Sequence, residues 1–154
     1  MISNSHNIDF ENSIGPWIGK TTKIVDYYMQ EMLIENDLDL SKEQFVVLKK
    51  LHDKDGLNQN ELAFLTFRDK SSLARLLSKM EAKGYIKRKK SEDDKRNNLV
   101  FLTANGKTFF IKAMPILKKF IGIMEQNITL DEKKEIIRVL KKVQSNFTQE
   151  KAAL

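Results

Sequence analysis

The stretch Asn58–Thr103, NQNELAFLTFRDKSSLARLLSKMEAKGYIKRKKSEDDKRNNLVFLT, changes its apolar period from helical to alternating partway along, and that change decides the fold. Asn58, with Glu61 three residues on, opens a short helix through Thr66. Asp69 caps a second helix, in which Leu73, Leu76, Leu77 and Met80 recur at helical spacing. Gly84 supplies the left-handed residue that ends it. Beyond it, Tyr85–Lys89 alternates as a short strand and Leu99–Leu102 is a second. The SEDDKRNN segment between them is too polar to be anything but an exposed loop.

Charge gathers in the same place. From Arg68 to Arg96 there are eleven cationic side chains and five anionic ones, a surplus of +6. The whole chain, with 27 Lys and Arg against 21 Asp and Glu, is also +6, so everything outside this segment cancels. A surplus so localised points to a polyanionic partner.

The flanks read as helices. Upstream, Ser41-Lys42-Glu43-Gln44 is a capping box opening a helix with Phe45, Leu48 and Leu51 inward, closed near Asp55-Gly56. Before it, Ile14, Trp17, Ile18, Thr21, Ile24, Val25, Tyr28, Met29 and Met32 hold a helical period from about Ser13, and Pro16 falls in the tolerant first turn. Downstream, Thr103 caps a fifth helix containing Pro115, which predicts a local kink or break. Thr129 and Glu132 form a last capping box, opening a sixth helix with Ile136, Ile137, Leu140, Val143 and Phe147. The outer helices (13–36 and 104–150) carry Trp17, Tyr28, Phe109, Phe110, Phe120 and Phe147, more large apolar side chains than the central lobe (41–103) can cover. A homodimer joined through those helices is expected.

At 154 residues, 41% apolar and 31% charged, the chain is expected to be one helix-rich globular domain spanning 1–154. The absence of cysteine excludes disulfides and thiol redox switches. His6 and His52 have no ligand-like spacing, so neither a metal nor a cofactor is expected. No nucleophile–base pairing and no glycine-rich phosphate loop is present, so an enzyme is not expected. Glu92-Asp93-Asp94, beside Lys95 and Arg96, reads as a self-paired loop rather than a cation site. The longest apolar run, Phe120–Met124, is five residues, far below the ~20 needed to cross a bilayer. With no basic segment leading into an apolar core at the start, the expected location is the cytoplasm.

Helix, helix and basic hairpin in this order make a winged helix-turn-helix, a mainly α fold with a small β-hairpin and six helices (α+β). In that arrangement the second helix of the pair enters the major groove. Its outer face holds Lys70, Ser71, Ser72, Arg75, Ser78 and Lys79. Ser71, Ser72 and Arg75, in the first turns, are the expected base readers. Lys70 suits a base or a phosphate, Lys79, Arg88 and Lys89 suit phosphates, and Lys95 and Arg96 near the hairpin tip could reach a flanking minor groove. The alternative is a winged helix that binds a protein or RNA instead. A protein-binding face would be expected to show exposed apolar anchors, and the outer face of this helix has none.

The run from Ser41 to Thr103 resembles the multiple antibiotic resistance regulator (MarR) family of transcription factors. The resemblance rests on Gln44-Phe45-x-x-Leu48, Asn58-Gln59-x-Glu61-Leu62-Ala63, Asp69-Lys70-Ser71-Ser72, Met80-Glu81-x-x-Gly84-Tyr85-Ile86-x-Arg88, Asp94-x-Arg96 and Leu102-Thr103-x-x-Gly106. It implies a homodimer whose two winged lobes engage a pseudo-palindromic double-stranded operator. It implies that Arg96 is the wing-tip arginine and Asp94 its partner holding the loop. It also implies repression relieved by a small aromatic or phenolic effector, near helices that carry Trp17, Tyr28, Phe45 and His52. Lacking cysteine, the chain departs from the family's peroxide-sensing branch.

Overall fold

The computed structural model describes residues 7–94 and 96–148. In chain order the elements are α1 (Ile14–Glu35), α2 (Lys42–Asp53), β1 (Leu57–Asn58), α3 (Gln59–Thr66), α4 (Lys70–Ala82), β2 (Ile86–Lys90), β3 (Asn98–Leu102), α5 (Ala104–Met124) and α6 (Leu130–Thr148). The caps form as the sequence dictates. Ser41 and Gln44 exchange both capping-box hydrogen bonds at 3.2 Å. Asn58 accepts from the Glu61 N–H at 2.8 Å, and Asp69 from the Ser72 N–H at 2.8 Å. Gly84, at φ +75°, ends α4, and the Tyr85 and Gly84 N–H groups return to the Met80 and Glu81 carbonyls.

The fold is mainly α, with a sheet of three antiparallel strands in the order β1-β3-β2. The expected hairpin is β2–β3; β1 adds a two-residue strand with Leu57 opposite Val100. A strand this short is below the reach of any periodicity. Its anchors are Gly56, whose N–H donates to the Val100 carbonyl, and Asp55, which accepts from the Leu102 N–H at 2.9 Å. Pro115 does not break α5, which runs unbroken from Ala104 to Met124. Proline forfeits one backbone bond there, while buried Ala113, Leu117 and Phe120 hold the turns around it.

The described residues fall into two compact parts, divided between Phe120 and Ile121. In the first, Val47, Leu48 and Leu51 of α2, Leu62 of α3, Leu73, Leu77 and Met80 of α4, and Val100 of β3 are fully buried. Phe110 joins this core and Phe109 packs against it, which corrects the expectation that they are surplus to it; Phe120 is also buried. Trp17, Tyr28 and most of the α1 stripe stay exposed, with Leu33 its one fully buried residue among those described. The C-terminus of α4 is latched to the α1–α2 connection. Lys83 reaches Asp39 at 2.8 Å and the buried Gln44 at 3.1 Å, and the Tyr85 hydroxyl donates to the Asp39 carbonyl at 2.9 Å. Burial pushes the Tyr85 pKa up, which keeps that donor protonated. In the second part, Thr129 and Glu132 exchange capping bonds at 2.8 and 3.1 Å, and Lys133 pairs with Glu125. None of the α6 residues described is buried.

Gly106 marks where α5 leaves the sheet. A Cβ placed there would lie 2.0 Å from the Tyr85 carbonyl oxygen, a backbone atom with nowhere to go. Gly106→Ala is therefore expected to cost about 1–3 kcal/mol or more in urea unfolding. Unchanged stability would show that α5 does not pack this closely.

Candidate nucleic-acid interface

The buried Leu73, Leu76, Leu77 and Met80 stripe decides which face of α4 meets solvent. Opposite it, Lys70, Ser71, Arg75 and Lys79 are exposed, while Ser72 is half-buried and its N–H is committed to the Asp69 cap. That hydrogen bond holds the Asp69 carboxyl below its ordinary value, so the cap stays charged at neutral pH. Between α3, the start of α4 and the hairpin lies an open groove of roughly 520 Å³. Gln59, Asn60, Lys70, Ser71, Ala74, Asp94, Arg96, Asn97 and Asn98 line it.

The structure thus gathers Lys70, Ser71, Asp94 and Arg96 around one groove. Arg75 and Lys79 lie farther along the same exposed helix face, and Lys89 is exposed on β2. Lys95 lies outside the described residues. Four amide side chains were missed by sequence reasoning: Gln59, Asn60, Asn97 and Asn98. Gln59 accepts from the Asn98 amide at 3.2 Å, tying the wing to α3. The signal was present as a cluster of Asn and Gln on both sides of the basic segment, but it reads equally as cap and loop composition.

Asp94 and Arg88 are both committed within the lobe. Asp94 accepts from the Arg96 backbone N–H at 3.0 Å and holds the tip as a turn, joined by Asn97 N–H to Asp94 carbonyl at 2.9 Å. Among the described residues, no carboxylate lies within ion-pair distance of the Arg96 guanidinium. Arg88 is turned inward. Counting by twos from buried Ile86 puts it on the inner face of β2, where it grips Glu81 of α4 at 3.2 Å and Ser78 at 3.2 Å. Its guanidinium holds the Glu81 carboxyl below the ordinary value, so the stabilisation from this tie is fully present above the usual carboxylate range and is lost as pH falls through the lowered value. Lys87 and Lys89, on the outer face, remain exposed.

For an effector, the expected aromatic residues separate into two groups. Phe45 and His52 both stack on Phe110, with ring centroids at 5.5 and 4.4 Å. Trp17 instead donates to the Glu11 carbonyl at 2.7 Å, and Tyr28 packs edge-on to Tyr27 at 5.2 Å. Among the described residues, no group of three or more acidic or histidine side chains could hold a metal, and no helix is long and apolar enough to cross a membrane.

Known proteins match this architecture. The MarR family model matches residues 40–97. The transcriptional regulator HosA of Escherichia coli O157:H7 is 30% identical over 109 residues, covering 68% of this chain and 78% of HosA. With HosA from E. coli O111:H-, identity is 37% over 78 residues, 58% of that protein's length. Two solved structures share the fold at lower identity. The transcriptional repressor CouR, bound to a 23-mer DNA duplex, superposes with a TM-score of 0.80 at 19% identity, over 87% of this chain and 94% of CouR. BpsR of Bordetella bronchiseptica, whose DNA binding is regulated by 6-hydroxynicotinic acid, superposes with a TM-score of 0.81 at 20% identity, over 90% and 97%. This chain belongs to the MarR family of transcriptional regulators, which are not enzymes.

Proposed function

We propose that this regulator is a homodimer that binds a pseudo-palindromic double-stranded operator, reading its sequence with α4 and its backbone with the wing. The groove between α3, α4 and the hairpin carries the proposal. Its walls hold hydroxyl, amide and cationic donors, and its one carboxylate, Asp94, is turned onto the backbone of the wing tip. Ser71 and Arg75 are the readers in this scheme, with Ser72 beside them. Lys70, Lys79 and Lys89 neutralise phosphates, and Arg96 extends from the wing tip. Arg88 contributes by bracing β2 against α4 rather than by lending its charge. CouR, of the same fold, is solved on DNA.

Dimerisation is supported by apolar faces that the single chain leaves open. Trp17 and Tyr28 of α1 are 58% and 61% exposed, and Phe147 of α6 is 77% exposed. Two subunits double the phosphate contacts and set half-site spacing. Repression relieved by a small aromatic or phenolic effector is the regulatory reading, supported by BpsR and by the Phe45–Phe110–His52 stack. A cytoplasmic location is part of the same proposal. Binding of a protein or RNA partner through the winged lobe is the reading to be excluded.

A mobility-shift titration at several salt concentrations tests the proposal on the DNA flanking the gene. Equal affinity for that DNA and for random duplex would defeat specific regulation. Arg75→Ala is expected to weaken operator binding by about 1–3 kcal/mol, and random-duplex binding by less. An equal loss on both would reassign Arg75 to phosphate. Arg96→Ala is expected to weaken binding while sedimentation still shows a dimer with an unchanged melting temperature. A monomer at micromolar concentration, in the wild type, would sink the dimer.

A further inference from the structure

Two aromatic rings on the approach to α4 are left largely exposed in the folded chain. Phe64 and Phe67 are 78% and 87% exposed. Phe64 lies one turn after Asn60 on α3, and Phe67 is the residue that caps the end of that helix. Asn60 lines the groove, and on the far side of the turn after Phe67 so do Lys70 and Ser71. In sequence the rings therefore stand between the groove-lining residues of α3 and those of α4.

The turn that presents them is costly to fold. Phe67 closes α3 at φ 52° and ψ 39°, the left-handed region where glycine and asparagine are at home and a phenylalanine is an outlier. Its ring gains no burial in return. Next to it, the Nε of Arg68 is buried without an acceptor. Strain and an exposed ring at one place, two residues before the Asp69 cap of α4, call for a bound state that covers the ring.

The surroundings select the occupant. Cationic Arg68 and Lys70 and the amide of Asn60 flank the rings, which suits a polyanion. A protein interface needs about 800 Å² on each side, and two phenylalanines at roughly 150–250 Å² each fall well short. The large apolar group on a base edge in the major groove is the thymine C5-methyl. Resting on the DNA reading above, we infer that Phe64 and Phe67 are base-contact residues that pack on thymine methyl groups where α4 enters the major groove.

The test uses the full-length protein and the duplex it selects from a random-sequence library. A second copy of that duplex carries deoxyuridine for every thymidine, deleting the methyl groups alone. Phe64→Ala and Phe67→Gly should each bind the thymine duplex about four- to tenfold more weakly than wild type, and the uracil duplex equally well. Phe67→Gly should melt at or above the wild-type temperature, because glycine relieves the backbone. Unchanged affinity in both variants overturns the assignment, as does an equal loss on the two duplexes. A lower melting temperature for Phe67→Gly overturns it by giving the ring a folded role. Self-association of the wild type that Phe64→Ala abolishes assigns the rings to a second copy and overturns it too. A wild type that selects no duplex overturns the DNA reading along with this one, whereas selection sensitive to Arg75→Ala but indifferent to both phenylalanine substitutions overturns this one alone.

Discussion

The burial of one stripe on α4 governs the rest of the winged lobe. Leu73, Leu76, Leu77 and Met80 close the core against α2, α3 and the sheet, and each buried side chain of this kind contributes about 1.5–3 kcal/mol. A helix buried on one side cannot rotate, so its remaining residues are fixed in direction as well as identity. Ser71, Arg75 and Lys79 owe their exposure to this packing. The Asp69 cap, the Gly84 stop and the Lys83–Asp39 latch then fix the helix along its axis. The same apolar contacts that stabilise the fold thereby preorganise a polar surface, which lowers the ordering cost of binding.

Much of this was legible in the sequence because it rests on local signals. Capping residues, the heptad-like stripe and the change of period after Gly84 are each set by neighbours a few residues apart, and all six helices follow from them. The features that escaped depend on partners far along the chain. β1 exists because Val100, more than forty residues on, offers it a ladder. Pro115 predicts a break only if the turns around it are free, and burial of Ala113, Leu117 and Phe120 holds them. The groove's amides, Gln59 with Asn98, meet across 39 positions. Arg88 was readable in principle: its place two residues after buried Ile86 puts it on the inner face, but a run of five basic and apolar residues hides that parity.

Arg88 also shows how a block of charge divides its labour. Net charge alone treats the cations of the segment as equivalent, and the alternation of a strand separates them. Half-buried Arg88 takes Glu81, and its charge is engaged within the lobe. Outward positions, Lys87 and Lys89, keep theirs. The wing tip applies the same economy by a different route. Asp94 meets a backbone N–H rather than the Arg96 guanidinium, so the loop is shaped without consuming the cation it presents. Whether a basic segment can attract a polyanion therefore depends less on how many cations it holds than on which of them the fold has already engaged.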